Sequence, residues 1–220
     1  MIKIAIAPEL KTTCPELQLN CLECDVHVEK SNQELRGLID AKIRNRSSSL
    51  NIEEISSEPP VAASRKAFKK LGKDPSRYRF SAEALLRRIV SKKGLYSVNN
   101  VVDILNMISF ESGYSIGGYD SMKITGDITC GTGRESEMYH AIGRGIINIA
   151  NIIVLRDDTG SFGTPVSDSE RTMVGMNTKK FLMVFFNFLN QEKITPWISN
   201  AEILLKKFAM ADHFFHTMVR

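Results

Sequence analysis

The chain reads as an α+β protein, on three observations. Between residues 18 and 30 the chain alternates, with Leu22, Cys24, Val26 and Val28 on one face and Glu23, Asp25, His27 and Glu29 on the other; this is the period-two pattern of a half-buried strand. Residues 33 to 110 carry successive helix-period stripes. After Gly113 the character changes to short β-branched runs separated by glycine turns. Helices clustered apart from strands favour α+β over a regular βαβ array.

The elements follow in order. Met1 to Leu10, with Ile2, Ile4 and Ile6 alternating, reads as a first strand and lacks the layout of a signal peptide. Two or three strands are expected before residue 30. Gln33 to Arg46 places Leu35, Leu38, Ile39 and Ile43 on one helical side, and Ser47 to Pro60 reads as a loop or short element ending in a break at Pro59-Pro60. Ala62 to Leu71 is a helix with Gly72 at its C-terminal cap. Asp74-Pro75-Ser76 is a turn, and Ser81 is placed to cap a helix that turns Leu85, Leu86, Ile89 and Val90 inward and stops at Gly94. Ser97 to Phe110 is a further helix with Val98, Val101, Val102, Leu105 and Ile108 as its buried stripe. Tyr114 to Ile116, Lys123 to Thr129 and Ile149 to Leu155 are candidate strands, and Phe181 to Leu189 is strand or helix. Pro196 to about Met210 is a terminal helix, and the tail His213-Phe214-Phe215-His216 is expected to pack on the core.

Composition narrows the function. The 220 residues are 43% hydrophobic and 25% charged, ordinary globular values in a chain long enough for a large core. No run of eighteen apolar residues marks a membrane helix, and four cysteines without an export signal point to a reducing cytoplasm. The net charge of +4 is concentrated: Arg65 to Lys93 holds eleven Lys or Arg against two acids, a local +9 that leaves −5 for the remainder. A basic segment on a mildly acidic body suits an anionic partner, with a solvated helix face as the plainer alternative.

Several motifs carry no chemistry on inspection. Cys21 and Cys24 are three apart on a strand, so they point to opposite faces and are read as structural. His27, His140, His213 and His216 are scattered, which leaves a serine or cysteine triad unsupported. Gly131-Thr132-Gly133 has no following lysine, so it is not a phosphate loop. No metal site and no cofactor are expected.

Two polar clusters stand out. Asn99, Asn100, Asp103 and Asn106 crowd one side of a helix, a poor use of helix propensity unless the groups are hydrogen-bonded. Ser167-Asp168-Ser169-Glu170-Arg171-Thr172, after Thr164-Pro165, holds three hydroxyls, two acids and a base in six residues. Such a loop binds an amino acid through its ammonium and carboxylate if it faces a cavity, and is a helix cap otherwise.

Gly94-Leu95, Val101-Val102-Asp103, Asn106, Gly113 and Tyr119-Asp120 resemble the B3/B4 module of the bacterial phenylalanyl-tRNA synthetase beta subunit. Lys73-Asp74-Pro75-Ser76-Arg77-Tyr78, Ser115-Ile116-Gly117 and Ser167 to Thr172 are similar to free-standing proteins made of that module. The resemblance covers about Val61 to Phe188. It implies a three-layer α+β fold whose β-sandwich has an unusual topology, flanked by helices. One domain over 1–220 is then expected, with an N-terminal subregion at 1–60, a core at 61–190 and a C-terminal helix and tail at 191–220.

The synthetase module hydrolyses tyrosine wrongly attached to the phenylalanine tRNA. Its pocket uses an arginine before the helix, a threonine within it, a histidine in the following turn and a later glutamate. Here those positions read Tyr96, Leu105, Gly117 and, by a looser alignment, Val184. The resemblance thus implies a tRNA-associated protein, which either clears mischarged aminoacyl-tRNA in trans or binds RNA or a free amino acid without catalysis. In the first case Asp103, Asp168 and Glu170 orient a water. Asn99, Asn106, Gly117, Tyr119, Thr164, Ser167, Ser169 and Arg171 surround the substrate, and Arg77, Arg79, Arg87, Arg88, Lys92 and Lys93 hold the phosphate backbone. This expectation requires the Asn99–Asn106 helix, the Gly117-Gly118 turn and the Thr164–Thr172 loop to line one cleft with the basic arm.

Overall fold

Two four-stranded sheets carry the architecture of the computed structural model, which describes residues 2–189 and 193–220. Met1, assigned above to the first strand, and residues 190–192, in the connection before the terminal helix, lie outside the described residues. The first sheet has the order β1 (Ile4–Ile6), β4 (Ile128–Thr132), β7 (Ile153–Asp157), β8 (Gly160–Gly163). The second has the order β10 (Asp212–Val219), β2 (Gln18–Asp25), β9 (Lys180–Asn187), β3 (Ser115–Asp120). A two-residue hairpin pairs β5 (His140–Ala141) with β6 (Gly145–Ile146). Neighbouring strands are mostly distant in sequence, and β1 and β4 run parallel while the remaining named pairs are antiparallel.

The helices are α1 (Pro8–Thr13), α2 (Gln33–Ser49), α3 (Pro59–Lys70), α4 (Ser81–Val90), α5 (Asn100–Ser112) and α6 (Thr195–Ala209). The fold is α+β in three layers. Side chains of β9 alternate between two cores. Phe181, Met183 and Phe185 join Leu22, Cys24 and Ile116 against α4, α5 and α6, whereas Leu182, Val184 and Phe186 join Leu19, Cys21 and Tyr119 against the first sheet. A strand buried on both faces has no polar alternation, which is why Phe181 to Leu189 could not be assigned by period.

Several sequence assignments are corrected. Pro8 opens a helix at the first or second helical position, so only Ile4–Ile6 of the opening segment is strand. Pro59 and Pro60 likewise start α3 instead of breaking the chain. Ser81 does not cap α4: Phe80 occupies the cap position and the buried Ser81 hydroxyl has no partner. Val98 precedes α5 and is exposed. Gly117 and Gly118, read as a turn, lie inside β3. A Cβ on Gly117 would sit 1.9 Å from the Tyr119 hydroxyl, and one on Gly118 would sit 2.4 Å from Leu105 Cδ1. Glycine is demanded by close approach here, not by a bend. The tail containing His213 to His216 forms the edge strand β10, with Phe215 largely exposed.

Helix α4 ends before Gly94. Lys92 takes the left-handed position (φ 55°), and the Lys93 N–H bonds the Arg88 carbonyl at 2.9 Å. Gly72 does the same after α3, where the Lys73 N–H bonds the Phe68 carbonyl. Both are Schellman caps.

Candidate nucleic-acid interface

Among the described residues the expected single cleft does not form: the basic arm adjoins the α5 stripe, and the Thr164–Thr172 loop borders neither of their depressions.

The α5 stripe is a structural clamp at its N-terminal end. Asn99 caps the helix by accepting from the Val102 N–H at 2.9 Å. The Asn100 amide donates to the His27 and Phe208 carbonyls and accepts from the Glu29 N–H. Asp103 accepts from the Ser31 hydroxyl at 2.6 Å, the Ser97 hydroxyl at 2.8 Å and the Val98 N–H at 2.8 Å. Buried amides and carboxylates are stable in a helix only with such partners. Asp103 therefore ties the N-terminal segment and the loop before α5 to the helix.

The Thr164–Thr172 loop lies elsewhere, along the free edge of β3, with a bridge between Tyr119 and Met173. Thr164 is buried, and its hydroxyl accepts from the Val166 and Ser167 N–H groups while donating to the Ser167 carbonyl. Asp168 accepts from the Tyr119 hydroxyl at 2.7 Å and from the Gly118 N–H at 3.2 Å. Burial raises its pKa to about 7 against the opposing pull of those two bonds. Ser169 caps the 3-10 turn Glu170–Thr172, the capping role weighed above, and Glu170 is exposed. Arg171 forms a fork on Asp157 at 2.8 and 3.0 Å, which occupies the guanidinium expected to meet substrate.

Asp103 and Asp168 are consequently kept apart by the second sheet. Helix α5 packs on one face, where Leu105 meets Gly118, and the Tyr119 ring that reaches Asp168 is on the other. Gly117 and Tyr119 are buried between the sheets. Of the positions matching the synthetase pocket, Leu105 and Val184 are core residues and Gly117 stands directly opposite Val184 in the sheet.

Ser169 and Arg171 also border an open cleft of about 870 Å³. Two ion pairs lie along it. Arg156 pairs with Glu137 at 2.6 Å, Arg171 with Asp157. Despite burial, bonds from Arg156, the Arg134 N–H and Ser161 hold Glu137 down to about 2.

The basic arm makes a different surface. Arg79, Arg87, Arg88 and Lys93 border a depression of about 430 Å³ beside α4. Arg87 is partly committed, since the almost fully buried Glu83 holds both it and Arg65 at 3.0 Å. Arg88 donates to the Gly94 carbonyl and lies 4.3 Å from the centre of the Tyr96 ring, which is 76% exposed. Arg77 is exposed in the preceding loop, and Lys92 is exposed at the cap.

On the other side of the Lys93–Tyr96 segment is a pocket of about 260 Å³, bordered by Arg36, Ile39, Asp40, Ile43, Leu95, Tyr96, Asp103 and Asn106. Thus the arm and the α5 stripe do meet, through a shared wall, while the 164–172 loop takes no part. Arg36 and Asp40 escaped the sequence reading because α2 shows only an ordinary amphipathic stripe. Their i, i+4 spacing of opposite charges was the available signal.

The cysteines are buried and free. Cys24 and Cys21 belong to opposite cores, as the strand geometry requires, and burial pushes both thiols up to about 12. Among the described residues no helix is long and apolar enough to cross a membrane.

Comparison with known proteins adds the following. A family model described as the B3/4 domain matches residues 63–196. An N-terminal fragment of the phenylalanyl-tRNA synthetase beta-subunit from Pyrococcus horikoshii is similar at 12% identity and a TM-score of 0.48, covering 99% of this chain and 50% of that one. The chain therefore spans half the length of that structure's chain. No curated protein matches.

Proposed function

Since this chain belongs to the B3/4 domain family, we propose that it is a tRNA-binding module that holds the RNA without hydrolysing an aminoacyl ester. The observation that carries the reading is the α4 groove, bordered by Arg79, Arg88 and Lys93, with the Arg88 guanidinium 4.3 Å from the centre of the exposed Tyr96 ring. Lysines and arginines neutralise phosphates without regard to sequence, and an exposed aromatic ring offers a platform for an unpaired base. A tRNA supplies both, a charged backbone and a single-stranded end.

The binding reading is favoured over hydrolysis by the state of the three candidate acids. Hydrolysis in this kind of site needs a positioned water together with donors for the developing oxyanion. Asp103 accepts from three donors of its own surroundings, Asp168 is held by Tyr119 and Gly118, and Glu170 lies on an exposed turn. The expected outcome is salt-sensitive binding of tRNA with no release of amino acid from a panel of mischarged tRNAs. Turnover on any one of them, abolished by a pocket substitution, would replace this reading by the editing one.

A further inference from the structure

We propose that the pocket between the first turns of α6 and strands β2 and β10 binds a nucleobase, whose hydrogen-bonding edge is read by the side-chain amide of Asn20. The pocket holds about 270 Å³; Asn20, His216 and Met218 border it from the sheet, and Thr195, Ile198 and Ser199 from the helix. Across the β2–β10 ladder Asn20 pairs with Met218 and Leu22 with His216. These side chains therefore share one face of the sheet, the face on which Leu22 packs with the core residues of α6. Asn20 is only 3% exposed, and its Oδ1 has no hydrogen-bond partner among the described residues. A buried amide without partners is costly, and folded proteins leave few of them. This one borders a pocket, where a ligand can complete it.

The lining selects the class of ligand. Among the described residues no lysine, arginine, aspartate or glutamate borders the pocket, and His216 Nε2 already lies 3.0 Å from the Glu202 carboxylate. A phosphate or a zwitterion finds no opposing charge there, whereas a neutral ring does not need one. An amide presents one acceptor and one donor side by side, the complement of the adjacent donor and acceptor on the edge of a base. Ile198 from the helix and Met218 from the sheet give apolar surface for the ring, and a thioether packs well against an aromatic edge. Thr195 and Ser199, exposed and one helical turn apart, place hydroxyls at the mouth for the remaining polar atoms. The volume falls below the roughly 300–1,000 Å³ of drug-sized pockets, which suits a base and is small for a nucleotide. None of the residues that carry the family resemblance borders this pocket, and of the six named here only Thr195 lies within the matched residues 63–196.

The test is isothermal titration of the full chain with adenine, cytosine and uracil, and with ribose 5-phosphate, which carries the anion without the base. At least one base is expected to bind saturably. Asn20→Leu keeps the volume and removes the amide, so it should weaken that base by roughly tenfold or more, as for loss of a paired edge contact. The same variant should melt at a higher temperature than the parent, because an unpartnered polar group has left the interior. Ser199→Phe, at an exposed position of α6, should obstruct the mouth without entering the core, and it supplies the decisive comparison if Asn20→Leu does not fold. Ribose 5-phosphate should give no heat that either substitution removes. No saturable binding of any base, binding unchanged in the folded variants, or variant-sensitive heat from ribose 5-phosphate overturns the proposal. A more stable Asn20→Leu in a chain that binds no base would mark Asn20 as an unsatisfied core amide only. The titration contains no RNA, so it succeeds or fails independently of tRNA binding by the α4 groove.

Discussion

Removing two charges from the α4 groove, with Arg88→Ala and Lys93→Ala combined, should change how RNA affinity responds to salt. Four cations border the groove. Arg87 is held by the buried Glu83, which leaves Arg79, Arg88 and Lys93 available for phosphates. Each phosphate neutralised contributes about −0.7 (single strand) to −0.9 (duplex) to the slope of log K against log salt. Three contacts predict a slope of about −2 to −3, so affinity should fall about 20- to 40-fold between roughly 50 and 200 mM salt. The double variant should retain a slope of about −0.7 to −0.9 and lose only about threefold over the same range. Fluorescence anisotropy of a labelled, uncharged tRNA measures both. Arg134→Ala, at an exposed cation that borders the cleft with Glu137 and Asp157 and lies outside the α4 groove, serves as the comparison and should leave the slope unchanged. A flat wild-type response, or equal loss of slope in Arg134→Ala, would refute the assignment of the α4 groove. Thermal melts of the variants separate loss of contact from loss of the Arg88–Tyr96 packing.

Four stability predictions follow from the backbone and from Asp168. Lys92→Gly should stabilise the fold by about 1 kcal/mol in urea unfolding, because Lys92 holds the left-handed cap position that Gly72 fills after α3. Gly117→Ala should destabilise by roughly 1–3 kcal/mol or more, since its Cβ displaces the Tyr119 hydroxyl, whereas Gly37→Ala in α2 meets open space and should stabilise by about 0.5–1 kcal/mol. Asp168, raised from 3.8 to about 7 in the folded state, binds a proton more readily folded than unfolded. Its contribution is therefore fully present at acid pH and is lost as pH rises from about 4 through about 7. Asp168→Asn should flatten the pH dependence of stability across that window, and an unaltered profile would show that Asp168 titrates normally.

The strand alternation from Leu22 to Asp25, where β2 ends short of the expected Val28, the stripes of α2, α4 and α5 and the basic arm were legible in the linear pattern, because each follows from a local period or a local run of charge. So was the placement of Cys21 and Cys24 on opposite faces. The glycine pair at 117–118 was legible as special but not for its reason, since the crowding comes from Tyr119 and from Leu105 of another element. The candidate site was legible only in part. The polar α5 stripe and the 164–172 loop both announced satisfied hydrogen bonds, yet their partners lie on distant segments: Ser31 for Asp103, Tyr119 for Asp168.

Sequence alone thus determined where the helical stripes of α2, α4 and α5 run, where positive charge accumulates and which family motifs are present. Tertiary structure alone decided that the second sheet separates Asp103 from Asp168 and that Arg36 and Asp40 of α2 reach the pocket beside Asn106. Periodicity records which face of an element is buried, whereas the pairing of distant elements is set by how those faces pack, and one buried sheet is enough to keep apart residues that look like one site.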